Sequence, residues 1–96
     1  MADPKGHFDG EHKEHTVVLY ALSTCIWCRK TRQLLEESQV TFDFFYLDLL
    51  EGEERRTIEQ EVRQWNPAKS FPTLVIDGAE AIVGFKPDPI REKLGL

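Results

Sequence analysis

The sequence predicts one α/β domain with a mixed, four-stranded sheet in the order β-α-β-α-β-β-α, and three observations predict it. A continuous apolar run, Val17 to Leu22, is followed by a segment of helical period. An aromatic-rich run, Thr41 to Leu49, is followed by a second segment of helical period. Two short apolar runs then flank Asp77-Gly78, a strong hairpin signal. A β-α-β start implies parallel strands joined by a right-handed crossover, and the hairpin adds an antiparallel edge.

The elements follow in order. Residues 1–15 show no apolar periodicity and read as a loose polar leader ahead of a domain over 16–96. Their histidines, His7, His12 and His15, have no helix or strand spacing, so a solvated segment is favoured over a metal site. Residues 16–22 are apolar throughout, as in a strand covered on both faces. A helix follows from about Cys25 to Ser38. On its wheel Thr31, Leu34 and Leu35 cluster with Trp27, with Cys28 at the cluster's edge. Cys25, Arg29 and Arg32 fall elsewhere, which makes Cys28 the more buried thiol. Thr41 to Leu49 is the second strand. Glu53 to Trp65 is the second helix, with Ile58, Val62 and Trp65 as its apolar stripe and Asn66-Pro67 as its end. Pro72 to Ile76 and Ala81 to Val83 are the hairpin strands. Asp88 is placed to cap a last short helix, with Pro89 at its first position and Gly95 beyond its end.

Composition narrows the function. The chain has 96 residues, 41% of them hydrophobic, enough for one small core. A formal net charge of −5 disfavours nonspecific binding to nucleic acid or anionic membrane. No apolar run nears the roughly 20 residues of a membrane helix, and the N-terminus lacks a signal peptide's apolar core. The expectation is a cytoplasmic monomer. Two cysteines do not make a secreted disulfide framework, and in a reducing compartment such a pair is catalytic or metal-binding.

That pair is Cys25-Ile26-Trp27-Cys28, directly after the first strand. Residues three apart are neighbours on a helix, within the span of a disulfide. The helix N-terminus favours negative charge, and so a thiolate, at Cys25. Cys25 is therefore the expected nucleophile and Cys28 the thiol that resolves the mixed disulfide. Arg29 and Lys30 read either as tuning the thiolate or as a solvated face. Trp27 reads toward the core on the wheel. The competing function is a metal or iron–sulfur carrier, but a closed site needs four ligands and no second cysteine pair exists.

The dithiol after the first strand, with Phe71-Pro72-Thr73 opening the third, resembles the glutaredoxin branch of the thioredoxin superfamily. The resemblance covers about residues 16–95 and implies the thioredoxin-like (glutaredoxin) fold. It implies a cis Pro72 facing the dithiol, and places Trp27, Phe71, Pro72, Thr73, Gly84 and Phe85 where substrate is held. The stretch Gly84-Phe85-Lys86-Pro87-Asp88 is similar to the closing segment of NrdH-type redoxins. Three departures matter. Many dithiol glutaredoxins have Cys-Pro-Tyr-Cys, Val is usual before the proline, and the family's Gly-Gly-x-Asp glutathione-binding segment is replaced here by Gly84 to Asp88. The resemblance thus implies a dithiol oxidoreductase acting on protein or small-molecule disulfides without a bound cofactor or metal. Its electrons would come from a flavoprotein reductase or a low-molecular-weight thiol other than glutathione.

Overall fold

The computed structural model describes residues 4–96. The elements are β1 Lys5–Phe8, β2 Val17–Ala21, α1 Ile26–Glu37, β3 Phe42–Tyr46, α2 Gly52–Trp65, β4 Thr73–Ile76, β5 Glu80–Val83 and α3 Pro87–Leu94. They build one sheet in the order β1-β3-β2-β4-β5. β2 and β3 are parallel, Val18 opposite Asp43 and Ala21 opposite Tyr46. β4 runs antiparallel to β2, and β5 antiparallel to β4. The class, the crossover and the hairpin match the sequence expectation.

Among the described residues the sheet has five strands rather than four. The extra strand, β1, lies within the segment expected to be a loose leader; residues 1–3 of that segment lie outside the described residues. β1 pairs antiparallel with β3, Lys5 opposite Phe45 and Phe8 opposite Phe42. Without it, β3 would present an open row of backbone donors and acceptors. Side chains add little periodicity to betray it. Phe8 stacks on Phe42 at 5.6 Å between ring centroids. Gly6 lies against the Phe44 ring, where a Cβ would sit 2.5 Å from the ring carbon Cζ. A side chain there would require the Phe44 ring to shift, and the glycine leaves no apolar mark in the sequence.

Alternation along the strands sorts side chains to two cores. Val17, Leu19, Ala21, Leu74, Ile76 and Ile82 face one, with Leu34 and Leu35 of α1 and Ile90 and Leu94 of α3. Tyr20 and Val75 face the other, with Ile58 and Val62 of α2. Helices α1 and α3 therefore cover one face and α2 the other. Each fully buried leucine contributes about 1.5–3 kcal/mol by removal from water. Trp65, expected to end the apolar stripe of α2, packs half-buried at the edge of the second core.

Two boundaries differ from expectation. β3 stops at Tyr46, because Leu47 and Leu50 turn inward to fill the second core. α3 starts at Pro87 with Lys86 as its cap residue, so Asp88 does not cap it. Proline at the first helical position forfeits only an N–H that would be unbonded there, so the earlier start costs the helix nothing. Asp88 lies in the first turn, its side chain 97% exposed and 3.7 Å from Arg91. Gly95 ends the helix at φ 70°, a left-handed cap that satisfies the last carbonyls.

Candidate active site

β2 and β3 run parallel, so their C-terminal ends reach the same edge of the sheet, the usual site of function in open α/β folds. The loop Leu22–Thr24 leaves β2 there and enters α1. Cys25 is the N-cap of α1, in extended conformation at φ −88° and ψ 120°. Its Sγ accepts the backbone N–H of Cys28 at 3.2 Å. A sulfur thus occupies the place that serine or aspartate usually takes at a helix start. Both cysteines are free thiols.

The two thiols differ in surroundings. Cys25 is half-buried at the rim, while Cys28 is 1% exposed within the first core. Burial, and then the hydrogen bond with Cys25, push the Cys28 thiol up to about 12. Cys28 is therefore neutral at physiological pH. The sequence-based ranking of exposure holds.

Trp27 does not follow its wheel position. It is 52% exposed, as is Ile26. The buried face of α1 is Cys28, Thr31, Leu34 and Leu35, and Trp27 lies outside it. Its ring instead stacks on Phe85 at 6.1 Å, and Lys30 Nζ sits 4.9 Å over it. Trp27, Phe71, Gly84 and Phe85 line a shallow groove of about 250 Å³. Gly84 has φ 88°, a region that side chains strain to enter, and its N–H donates to the Pro72 carbonyl at 2.8 Å. This turn carries Phe85 back toward Trp27. The Phe71–Pro72 bond is cis. Thr73 is fully buried, and its hydroxyl donates to the Ser70 carbonyl at 2.8 Å. Arg29 and Lys30 are exposed on α1.

Three residues shape this edge without a signal that the sequence reading used. Asp48 accepts the Ser23 N–H at 2.9 Å and the Ser23 hydroxyl, pinning the loop that carries Cys25. Burial works against its charge, but these Ser23 hydrogen bonds outweigh that and hold the Asp48 carboxyl below its ordinary value. Asn66, read only as a helix end, is 7% exposed. Its amide donates to the Ser70 carbonyl and hydroxyl, each at 3.0 Å, and so fixes the turn before Pro72. Lys69 lines a second groove with Leu22, Leu47 and Phe71. The sequence reading places Asp48 inside the strand Thr41 to Leu49, whereas it lies just past the end of β3.

The histidines of the N-terminal region reach separate acids: His7 lies 2.7 Å from Asp43 and His15 2.8 Å from Asp77. Among the described residues no group of three or more His, Cys, Asp or Glu converges as metal ligands would.

Comparison with known proteins agrees with this layout. The sequence profile of the glutaredoxin family matches residues 17–80, which spans the dithiol, β3, α2 and the Pro72 strand. This chain belongs to the glutaredoxin family. The glutaredoxin from Methanosarcina mazei Go1 is similar over 98% of this chain and 90% of its own, with a TM-score of 0.91 and 48% identity. Methanoredoxin from Methanosarcina acetivorans is similar over 84% of this chain and 85% of its own, with a TM-score of 0.82 and 47% identity. The Escherichia coli NrdH-redoxin shares the fold at 19% identity, with a TM-score of 0.64 over 80% of this chain and 92% of its own. Glutaredoxins serve thiol redox chemistry, and the pair Cys25 and Cys28 supplies thiols for it. No helix among the described residues is long and apolar enough to cross a membrane.

Proposed function

We propose that this glutaredoxin is a dithiol oxidoreductase that reduces disulfides of proteins or small molecules. The observation that carries the reading is the asymmetric pair: a rim sulfur capping α1 and a buried thiol one turn behind it. The Cys25 thiolate attacks one sulfur of the substrate disulfide. A mixed disulfide forms, and the other substrate sulfur leaves as a thiolate that takes up a proton. Cys28 then loses its proton and attacks the Cys25 sulfur. The second substrate thiol departs, and a Cys25–Cys28 disulfide holds the two-electron oxidation. Trp27, Phe71 and Phe85 offer the substrate an apolar groove beside the reacting sulfur. The backbone before Pro72 is suited to pair with an extended segment.

Electrons return from a flavoprotein reductase or a low-molecular-weight thiol, with glutathione a poor donor. Anionic ligands are commonly held by the N–H groups of a helix N-terminus. At α3 that turn contains Pro87 and Pro89, which have no N–H, and the carboxylate of Asp88. We place the protein in the cytoplasm as a monomer, where thiols stay reduced. An iron–sulfur carrier would need two ligands from outside the chain.

The test is turnover of one small disulfide with glutathione and with a thioredoxin-reductase-type flavoprotein as alternative donors. The reading expects turnover that requires both cysteines, with the higher kcat/KM for the flavoprotein. Turnover by the Cys25→Ser variant at the wild-type rate refutes it. Efficient turnover with glutathione alone refutes the donor assignment.

A further inference from the structure

The chain carries a net charge of −5, yet its cations are unevenly employed. Among the described residues six of the twelve lie in ion pairs: Lys5, Lys13, Arg32, Arg55, Arg91 and Lys93. Arg29, Lys30, Lys69 and Lys86 have no carboxylate partner among the described residues, and each belongs to the dithiol edge by a separate observation. The Arg29 amide donates to the Cys25 carbonyl at 3.1 Å, so its side chain stands one turn from Cys25 on the same side of α1. Lys30 lies over Trp27. Lys69 lines the groove with Leu22 and Phe71, beside the Arg55–Glu59 pair. The Lys86 stem runs beside Gly84, with Cε 4.0 Å from where a Cβ on Gly84 would stand. Two carboxylates also reach this region: Asp48 accepts hydrogen bonds from Ser23 and keeps its charge, and Glu59 pairs with Arg55. Asp88 is exposed and lies 3.7 Å from Arg91. The other two unpaired cations, Arg56 and Arg63, sit on the outer face of α2.

An acidic chain with ample carboxylates leaves its dithiol edge cationic around exposed Ile26 and Trp27. From this we infer that the edge is a docking surface for an acidic polypeptide segment bearing the disulfide to be reduced, an apolar side chain of which enters the groove between Trp27 and Phe85. This rests on the oxidoreductase reading and names its substrate class. Opposite charge concentrates the partner at the edge and speeds encounter, an effect that falls as salt screens it. The aromatic groove supplies the short-range grip that charge alone lacks.

Two synthetic peptides test this. Each holds the same internal disulfide and one leucine, flanked in one by aspartate and glutamate and in the other by lysine. At low ionic strength the acidic peptide is expected to show a kcat/KM higher by about tenfold or more. That preference shrinks as salt rises past about 0.1 M, where the screening length is roughly 10 Å. The double variant Lys30→Glu/Lys86→Glu should lose or invert it. Equal kcat/KM for the two peptides, or a preference indifferent to salt, overturns the docking surface while leaving the oxidoreductase reading intact. Failure to reduce either peptide overturns both.

Discussion

Along the outer edge of the sheet, where β1 meets β3, Lys5 pairs with Glu54 and His7 with Asp43, and Phe8 stacks on Phe42. At the dithiol end, four cations lack a carboxylate partner among the described residues and Trp27 stands half in solvent. The charged and aromatic side chains of the first edge satisfy one another within the chain. The second holds charge and apolar area open, which is what a surface that meets a partner requires. The difference teaches that changes at the dithiol end should alter chemistry and spare stability, while changes at the β1 edge should do the reverse.

The largest expected effect is the loss of disulfide turnover in Cys25→Ser. As an isosteric change at a half-buried cap, it should leave the melting temperature nearly as it is. A melting temperature that falls with activity would erase the contrast. The converse case is Gly10→Ala, where the chain leaves β1. A Cβ at the buried Gly10 would stand 2.3 Å from the Gln39 carbonyl oxygen, a backbone atom that cannot swing aside. Overpacking of this kind costs about 1–3 kcal/mol, a fall of roughly 5–20 °C for a domain this size. Thermal unfolding should record that loss while kcat/KM at moderate temperature persists.

Alkaline pH sharpens the comparison next. In an unfolded chain a thiol ionises near 8.5, whereas the fold holds Cys28 protonated up to about 12. Stability from this site is complete below pH 8.5. Above it the unfolded state sheds a proton that the folded state keeps, so the reduced protein weakens between about pH 8.5 and 12. Tyr20, raised by burial and by its hydrogen bond to Glu61, acts in the same direction from a higher pH. Denaturant titrations across this range should show a shallower decline for Cys28→Ser. The smallest effect is at the exposed Lys5–Glu54 pair. Lys5→Ala should cost about 0.5 kcal/mol or less, vanishing in high salt; a loss of several kcal/mol would mean that β1 hangs on that ion pair rather than on its backbone pairing.

The same contrast explains what was legible in the sequence. Buried strands announce themselves through unbroken apolar runs, and the hairpin through Asp77-Gly78, so β2, β4, β5 and both long helices were readable. β1 was not, because its attachment is a backbone ladder helped by Gly6 and Phe8 in an otherwise polar stretch. Cys25 and Cys28 were readable since spacing and a helix start fix their relation locally. Trp27 misled the wheel because the buried face of α1 is Cys28, Thr31, Leu34 and Leu35, while Trp27 turns out to meet Phe85 and Lys30. Asp48, Asn66 and Lys69 reach the site from loops that only the tertiary fold brings near. Asp88 failed as a cap because proline at the first position let α3 begin at Pro87.

The central claim is that Cys25 attacks and Cys28 resolves. Its most direct measurement is peptide mass mapping of the adducts formed when Cys28→Ser and Cys25→Ser, each fully reduced, meet one disulfide substrate at neutral pH. The account predicts a stable mixed disulfide on Cys25 in the first variant and no adduct on Cys28 in the second. An adduct on Cys28, with Cys25 unmodified in the converse variant, would contradict it.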